Sequence, residues 1–131
     1  MRGYAEGTVV SVEKSQAQIQ SLVRAHGATM FTTGWLAAGE AAVEFTIKGR
    51  RVRFTLAAPK GKGSKAGFEA EERRRWRCLL LAIRAKLEIV ASGISEFDEE
   101  FLAHVVTANG QTVWRQAQAA KMLPAVGETT P

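Results

Sequence analysis

Hydrophobic and polar residues alternate most regularly in the middle of the chain. Residues 43–47 and residues 52–56 each carry an apolar side chain at every second position. This two-residue period is typical of strands that bury one face. The pair Gly49-Arg50 lies between the two segments and predicts a two-residue hairpin turn. If Lys48 pairs with Arg51, the apolar side chains of both strands fall on one face of the sheet.

The opposite face of this hairpin is predicted to be open and basic. Lys48, Arg51 and Arg53 alternate with the apolar residues and therefore share that face with Glu44. Surface substitutions usually change stability by no more than about 0.5 kcal/mol. We therefore expect a protein in which Arg51 and Arg53 are both reversed to glutamate to fold almost normally.

Helical periodicity predicts two helices beside this sheet. Between residues 13 and 26 the apolar side chains recur at the spacing of one helical face, with Ser11 as the cap and Gly27 at the end. A second apolar stripe, which includes Trp76, runs from about residue 68 to residue 90. It predicts the longest helix of the protein.

The remaining segments complete an α+β pattern. Residues 31–35 alternate and predict a first strand, so that the sheet is a three-stranded antiparallel meander. Ser95 is a suitable cap for a short acidic helix. Residues 104–113 form either a small hairpin or an irregular link, and residues 113–123 predict a last helix. Residues 124–131 are expected to be a frayed tail.

Length and composition favour one small globular domain that spans residues 1–131. The apolar fraction of 46% and the charged fraction of 24% are ordinary for a folded protein. No apolar run approaches the ~20 residues that a membrane helix needs, and the N-terminus has no signal-peptide core. Cys78 is the single cysteine, which excludes a disulfide within the chain. A reducing cytoplasm is the expected location.

Charge is distributed unevenly along the chain. The net charge is +5, but residues 48–86 contain thirteen lysines and arginines and three glutamates, which gives this segment +10. Such a segment is either a solvated face that keeps the protein soluble or a surface for an anionic partner.

The candidate partner-binding residues are basic and come from three consecutive groups that we expect to be adjacent in space. They suit contacts with phosphates, which give affinity with little sequence information. Trp35 adds base stacking if it is exposed, although a core position is the commoner alternative. The predicted set is Lys48, Arg51, Arg53, Lys60, Lys62, Lys65, Arg73, Arg74, Arg75 and Arg77.

Candidate catalytic chemistry is sparse. His26 is interpreted as a structural residue at a helix end, and Cys78 as a small helical residue, although Arg74 and Arg77 lie near it in the helix. Glu100 and His104 are one helical turn apart but lack further metal ligands. The Gly/Lys/Ser loop over residues 61–65 does not match a phosphate loop. We therefore predict no enzyme activity, no cofactor and no metal.

Several short segments of the chain carry a resemblance to known proteins. They are residues 4–8, 10–15, 26–28, 49–54, 76–77, 85–88, 93–95 and 99–104. These segments resemble a family of small proteins that tailed bacteriophages and prophages encode. The resemblance covers most of the chain and implies a phage accessory protein in the cytoplasm of a bacterial host. No function is assigned to the family, so it supplies no catalytic residue. The chain departs from the family in a shorter loop and after Gly110.

Two functional hypotheses follow from the basic residues and this resemblance. The first is an accessory protein that binds nucleic acid through its phosphate backbone. The second is a protein-binding inhibitor of a host defence complex, of the anti-CRISPR type, whose basic face meets an acidic protein or ribonucleoprotein surface.

Overall fold

A computed structural model describes residues 9–36, 39–59 and 63–127 and has the predicted α+β architecture. Within these ranges, one helix precedes a three-stranded antiparallel meander, and a long helix and two short ones follow it. The elements are α1 Val12–Ala25, β1 Met30–Trp35, β2 Ala41–Ile47, β3 Arg50–Leu56, α2 Lys65–Ala91, α3 Phe97–Phe101 and α4 Val113–Ala119. In the described part of the chain, no helix is long and apolar enough to cross a membrane.

Local capping sets the ends of the first helix, as predicted. The Ser11 hydroxyl accepts a hydrogen bond from the backbone N–H of Lys14 at 3.0 Å. Gly27 ends the helix with a φ of +99°, which glycine adopts easily. His26 is the C-terminal cap residue, and its Nδ1 lies 3.0 Å from the carbonyl oxygen of Leu22. The structural interpretation of His26 agrees with this geometry.

The register of the β2–β3 hairpin differs from the prediction by two residues. Lys48 and Gly49 form the turn with φ values of +54° and +75°, so Ile47 pairs with Arg50 and Phe45 pairs with Val52. Positive φ at both positions gives a turn whose twist matches that of the strands. A shift of two residues preserves the faces, so the apolar side chains still lie together. Lys48, however, belongs to the turn and not to the sheet face.

The apolar face of the sheet packs against α1, α2 and α3. Phe45 is fully buried and contacts the ring of Phe101 edge to face, with 6.3 Å between the ring centroids. Trp76 is 3% exposed and belongs to the same core. Trp35 lies on this face too, but 71% of its surface is exposed. Trp35 is the last residue of the edge strand β1.

The C-terminal piece is helical but shorter than predicted. Glu96, and not Ser95, is the N-cap of α3, and the Ser95 hydroxyl bonds to the side chain of Glu99. One 3-10 turn, Leu102–His104, follows the helix. The stretch predicted as a hairpin or an irregular link contains a small antiparallel bridge that joins Val106 to Thr112.

The long helix begins at Lys65, three residues before the predicted start, because the Ser64 hydroxyl accepts a hydrogen bond from the N–H of Gly67 at 3.0 Å. The last helix ends at Ala119 rather than near Leu123. Some of the predicted features lie outside the described residues. They are Lys60, the first two residues of the loop over residues 61–65, which include Lys62, and the last four residues of the predicted tail.

Candidate partner-binding surfaces

The outer face of the sheet carries a compact charge cluster around Glu44. The carboxylate accepts hydrogen bonds from Nε of Arg51 and, at 2.9 Å, from Nε of Arg53. Arg53 also donates through Nη1 to the carbonyl oxygen of Gly110 at 3.0 Å. Only 19% of the Arg53 side chain and 17% of the Glu44 side chain are exposed. This face therefore carries much less free positive charge than its arginines suggest.

The ionisation of Glu44 reflects two opposing effects. Burial acts to raise the pKa of this carboxyl, whereas the hydrogen bonds and charges of Arg51 and Arg53 lower it. The arginines prevail, and the pKa lies below its usual value. Glu44 consequently stays charged at neutral pH and neutralises one of the two arginines. We therefore correct the expectation that reversing both arginines leaves folding almost intact, because the reversal would bring three carboxylates together.

Arginines on the long helix α2 fall into two classes. Arg74 and Arg75 both contact the carboxylate of Glu71, at 2.6 and 3.3 Å. Three others, which we call the arginine row, lie on one stripe of the helix: Arg73, Arg77 and Arg84. Within the described residues, no member of the row makes an ion pair or a hydrogen bond.

The predicted basic surface is therefore divided. Helix α2 covers the apolar face of the sheet, whereas Arg51 and Arg53 project from the opposite face. Lys48 lies in the hairpin turn, and Lys65 occupies the first position of α2. Among the described residues, the arginines of the sheet face and those of α2 therefore do not form one surface.

A groove that the sequence did not predict lies between the first turn of α1, the second and third turns of α2 and the end of β1. Its volume is about 570 Å³. Trp35 lines the groove together with three carboxylate residues, Glu13, Glu69 and Glu72, and one cation, Arg73. The glutamates near the start of both helices were the available signal, but nothing in the sequence showed that they meet beside an exposed indole.

His104 lines a second cavity, of about 420 Å³, at the other side of the sheet. Its ring stacks on Phe54 with 4.0 Å between the centroids. Burial lowers the pKa of His104, the charge of Lys86 lowers it further, and a hydrogen bond with the backbone of Arg53 opposes them. The imidazole is therefore mainly neutral at neutral pH, and the arrangement is that of a packed side chain.

The remaining candidates for chemistry are engaged elsewhere or stand alone. The carboxylate of Glu100 binds Nζ of Lys86 at 3.2 Å. Cys78 is exposed on α2, and its sulfur lies 3.7 Å from Nη1 of Arg74. Across residues 9–36, 39–59 and 63–127, no three metal-ligating side chains cluster together.

The chain matches no model of a protein family, no curated protein and no solved structure. Its resemblance to small phage proteins therefore stays a prediction that the residues alone carry. Any assignment of function has to come from the surfaces described above.

Proposed function

We propose that this chain is a non-catalytic phage accessory protein that binds the phosphate backbone of nucleic acid through the arginine row. One observation carries the proposal: Arg73, Arg77 and Arg84 lie on one stripe of α2 and make no ion pair within the described residues. Arginines without an acidic partner keep their charge for an external anion, and this applies most to Arg77 and Arg84, because Arg73 also lines the groove with three glutamates.

The spacing of the row suits a nucleic acid strand. From Arg73 to Arg84 the helix rises by about 16 Å. A full turn of a duplex takes about 34 Å along its axis, so over this length a strand winds about half-way round the duplex, and the straight row contacts only a few of its phosphates. A helix also holds the three side chains at fixed spacing, which reduces the entropy that is lost on binding. The row contacts phosphates and reads no bases, so the proposed binding is independent of sequence.

The non-catalytic part of the proposal rests on where the candidate groups lie. His26 bonds to a backbone carbonyl, and His104 packs against Phe54 with a lowered pKa. Neither ring lies within hydrogen-bond reach of a nucleophilic side chain in the described residues, as general-base catalysis would require. The phage part of the proposal rests on the resemblance alone.

A salt titration tests the binding proposal. The double variant Arg77→Ala/Arg84→Ala should weaken binding to duplexes of any sequence. It should also reduce the slope of log affinity against log salt by about two units. The matched control is Arg24→Ala/Lys121→Gly, which removes the same charge from exposed positions outside the row and suits the positive φ of Lys121. The control should leave the slope nearly unchanged.

Two results would contradict the proposal. The first is a wild-type protein that binds neither duplex nor single strands at about 0.1 M salt. That outcome would favour the alternative, an inhibitor that binds a host defence complex. The protein should then pull down this complex even after nuclease treatment. The second is an equal loss of slope in both double variants, which would show that binding depends on net charge and not on the row.

A further inference from the structure

The two edge strands of the sheet differ in whether another segment bonds to their outer side. The strand order is β1-β2-β3, so β1 and β3 are the edge strands. Beside β3, the N–H of Val106 donates to the carbonyl oxygen of Arg51 at 2.8 Å and covers part of that edge. Beside β1, no backbone group of the described residues bonds to the strand on its outer side. An uncovered edge offers unpaired donors and acceptors to another strand.

The hydrogen-bond alternation identifies the unpaired groups. The N–H of Leu36 donates to the carbonyl oxygen of Glu40, which makes these residues a hydrogen-bonded pair. Hydrogen-bonded and non-hydrogen-bonded pairs alternate along an antiparallel ladder. Trp35 and Thr33 therefore belong to non-hydrogen-bonded pairs, and their N–H and C=O groups point away from β2. The two-residue turn between β2 and β3 leads to the same alternation, because it makes Ile47 and Arg50 a bonded pair.

The groove beside this edge has a distinct charge. Thr33 and Trp35 line it from β1, Glu13 lines it from α1, and Glu69, Glu72 and Arg73 line it from α2. Three carboxylates against one guanidinium favour a cation, and the exposed indole of Trp35 offers a face over which a cation is attracted. A residue paired with Thr33 on an added strand directs its side chain to the same sheet face, where the groove lies.

We propose that β1 accepts an extended segment of a partner protein as a fourth strand, and that an arginine or lysine of this segment enters the groove. The open edge provides main-chain hydrogen bonds, and the groove selects the side chain. A second copy of this chain fits less well, because β1 consists of Met30–Trp35 and contains no charged residue. Pairing between two copies of β1 would leave the carboxylates of the groove without a counter-charge.

Synthetic peptides provide the probe. Labelled twelve-residue peptides of alternating threonine and valine carry either a central arginine or a central glutamate, and fluorescence anisotropy measures their binding. The arginine peptide should bind about tenfold more tightly, since the glutamate would face like charges. On the protein, Glu72→Gln should reduce this preference. Equal binding of the two peptides to the wild-type protein would overturn the proposal.

A pair of substitutions at one position tests the strand addition itself. Thr33→Pro removes an N–H that points away from β2, and edge strands tolerate proline at such positions. Thr33→Val keeps the N–H and is the matched control. The proline variant should bind the arginine peptide about tenfold more weakly than the valine variant, as expected for the loss of one hydrogen bond. Equal affinities would show that the peptide does not pair with β1.

Amide hydrogen exchange in the wild-type protein gives a readout that does not depend on either variant. In the free protein the N–H of Thr33 should exchange faster than those of Thr32 and Gly34, which bond to β2. The arginine peptide should slow the exchange of Thr33. Protection that instead appears without peptide, and grows with protein concentration, would assign the edge to a second copy and overturn the proposal.

Discussion

Two groups of arginines lie within thirty-four residues of each other in the chain but differ in what surrounds them. Arg51 and Arg53 project from a sheet face on which Glu44 binds both. Arg77 and Arg84 project from α2, and neither has a partner in the described part of the chain. The comparison shows that the density of charge along a sequence does not measure the charge of a surface.

The reason for the difference is the geometry of the elements. In the hairpin, the antiparallel register places Glu44 directly opposite Arg53 and diagonal to Arg51. On α2, neighbours lie three and four residues away, and Glu71 therefore binds Arg74 and Arg75. Arg77 has no acidic residue three or four positions away in either direction, whereas Arg84 has Glu88 four positions after it but makes no ion pair with it in the described structure.

The largest expected effect concerns the core that separates the two groups. Phe45→Ala and Leu80→Ala should each lower the free energy of unfolding by about 2–5 kcal/mol, because both side chains are at most 2% exposed. Urea denaturation measures the loss, and Trp35→Ala is the control, since it lies on the same sheet face but is exposed. A loss below about 1 kcal/mol in either core variant would contradict this core, and two separate calorimetric transitions would contradict a single domain.

The next effect compares the two groups directly. Arg51→Ala/Arg53→Ala should destabilise the protein by about 1–3 kcal/mol, because Glu44 and the carbonyl of Gly110 lose their donors in a half-buried site. Arg77→Ala/Arg84→Ala removes the same charge but should change stability by no more than about 0.5 kcal/mol. If urea denaturation shows an equally small loss in both double variants, the ion pairs with Glu44 contribute nothing measurable.

A smaller effect is the dependence of the sheet cluster on pH. The folded pKa of Glu44 lies below the usual 4.5, so its contribution to stability is complete above that value. The contribution should disappear as the pH falls through the folded pKa. Thermal unfolding from pH 6 to pH 2.5 should show a steeper loss for the wild type than for Glu44→Gln. Parallel curves for the two proteins would contradict the assigned role of Glu44.

The smallest effect is expected at an exposed ion pair of the same hairpin. Arg50 bonds to both carboxylate oxygens of Asp98, at 2.8 and 2.7 Å, but about half of each side chain is exposed. Water and salt screen such pairs. The Arg50→Ala variant should therefore unfold at the same urea concentration as the wild type within error. A clear shift of this concentration would show that the Arg50–Asp98 pair holds α3 to the hairpin.

The order and type of the elements followed from the sequence. Periods of two and of about 3.6 residues describe contacts between neighbours in the chain, and caps such as Ser11 act within one helical turn. The helices and strands were therefore predictable, and so was the burial of Trp76. Errors at Ser95 and at the start of α2 were shifts of one to three residues, because helical periodicity specifies the apolar face of a helix more sharply than its ends.

Tertiary structure alone decided which surfaces are available to a partner. The hairpin register, the pairing of Glu44 with Arg51 and Arg53, and the exposure of Trp35 depend on contacts between separate elements. The same holds for the open edge of β1 and for the acidic groove beside it. Local periodicity specifies which side of an element is apolar, whereas the packing of elements specifies which charges meet and which strand lies at an edge.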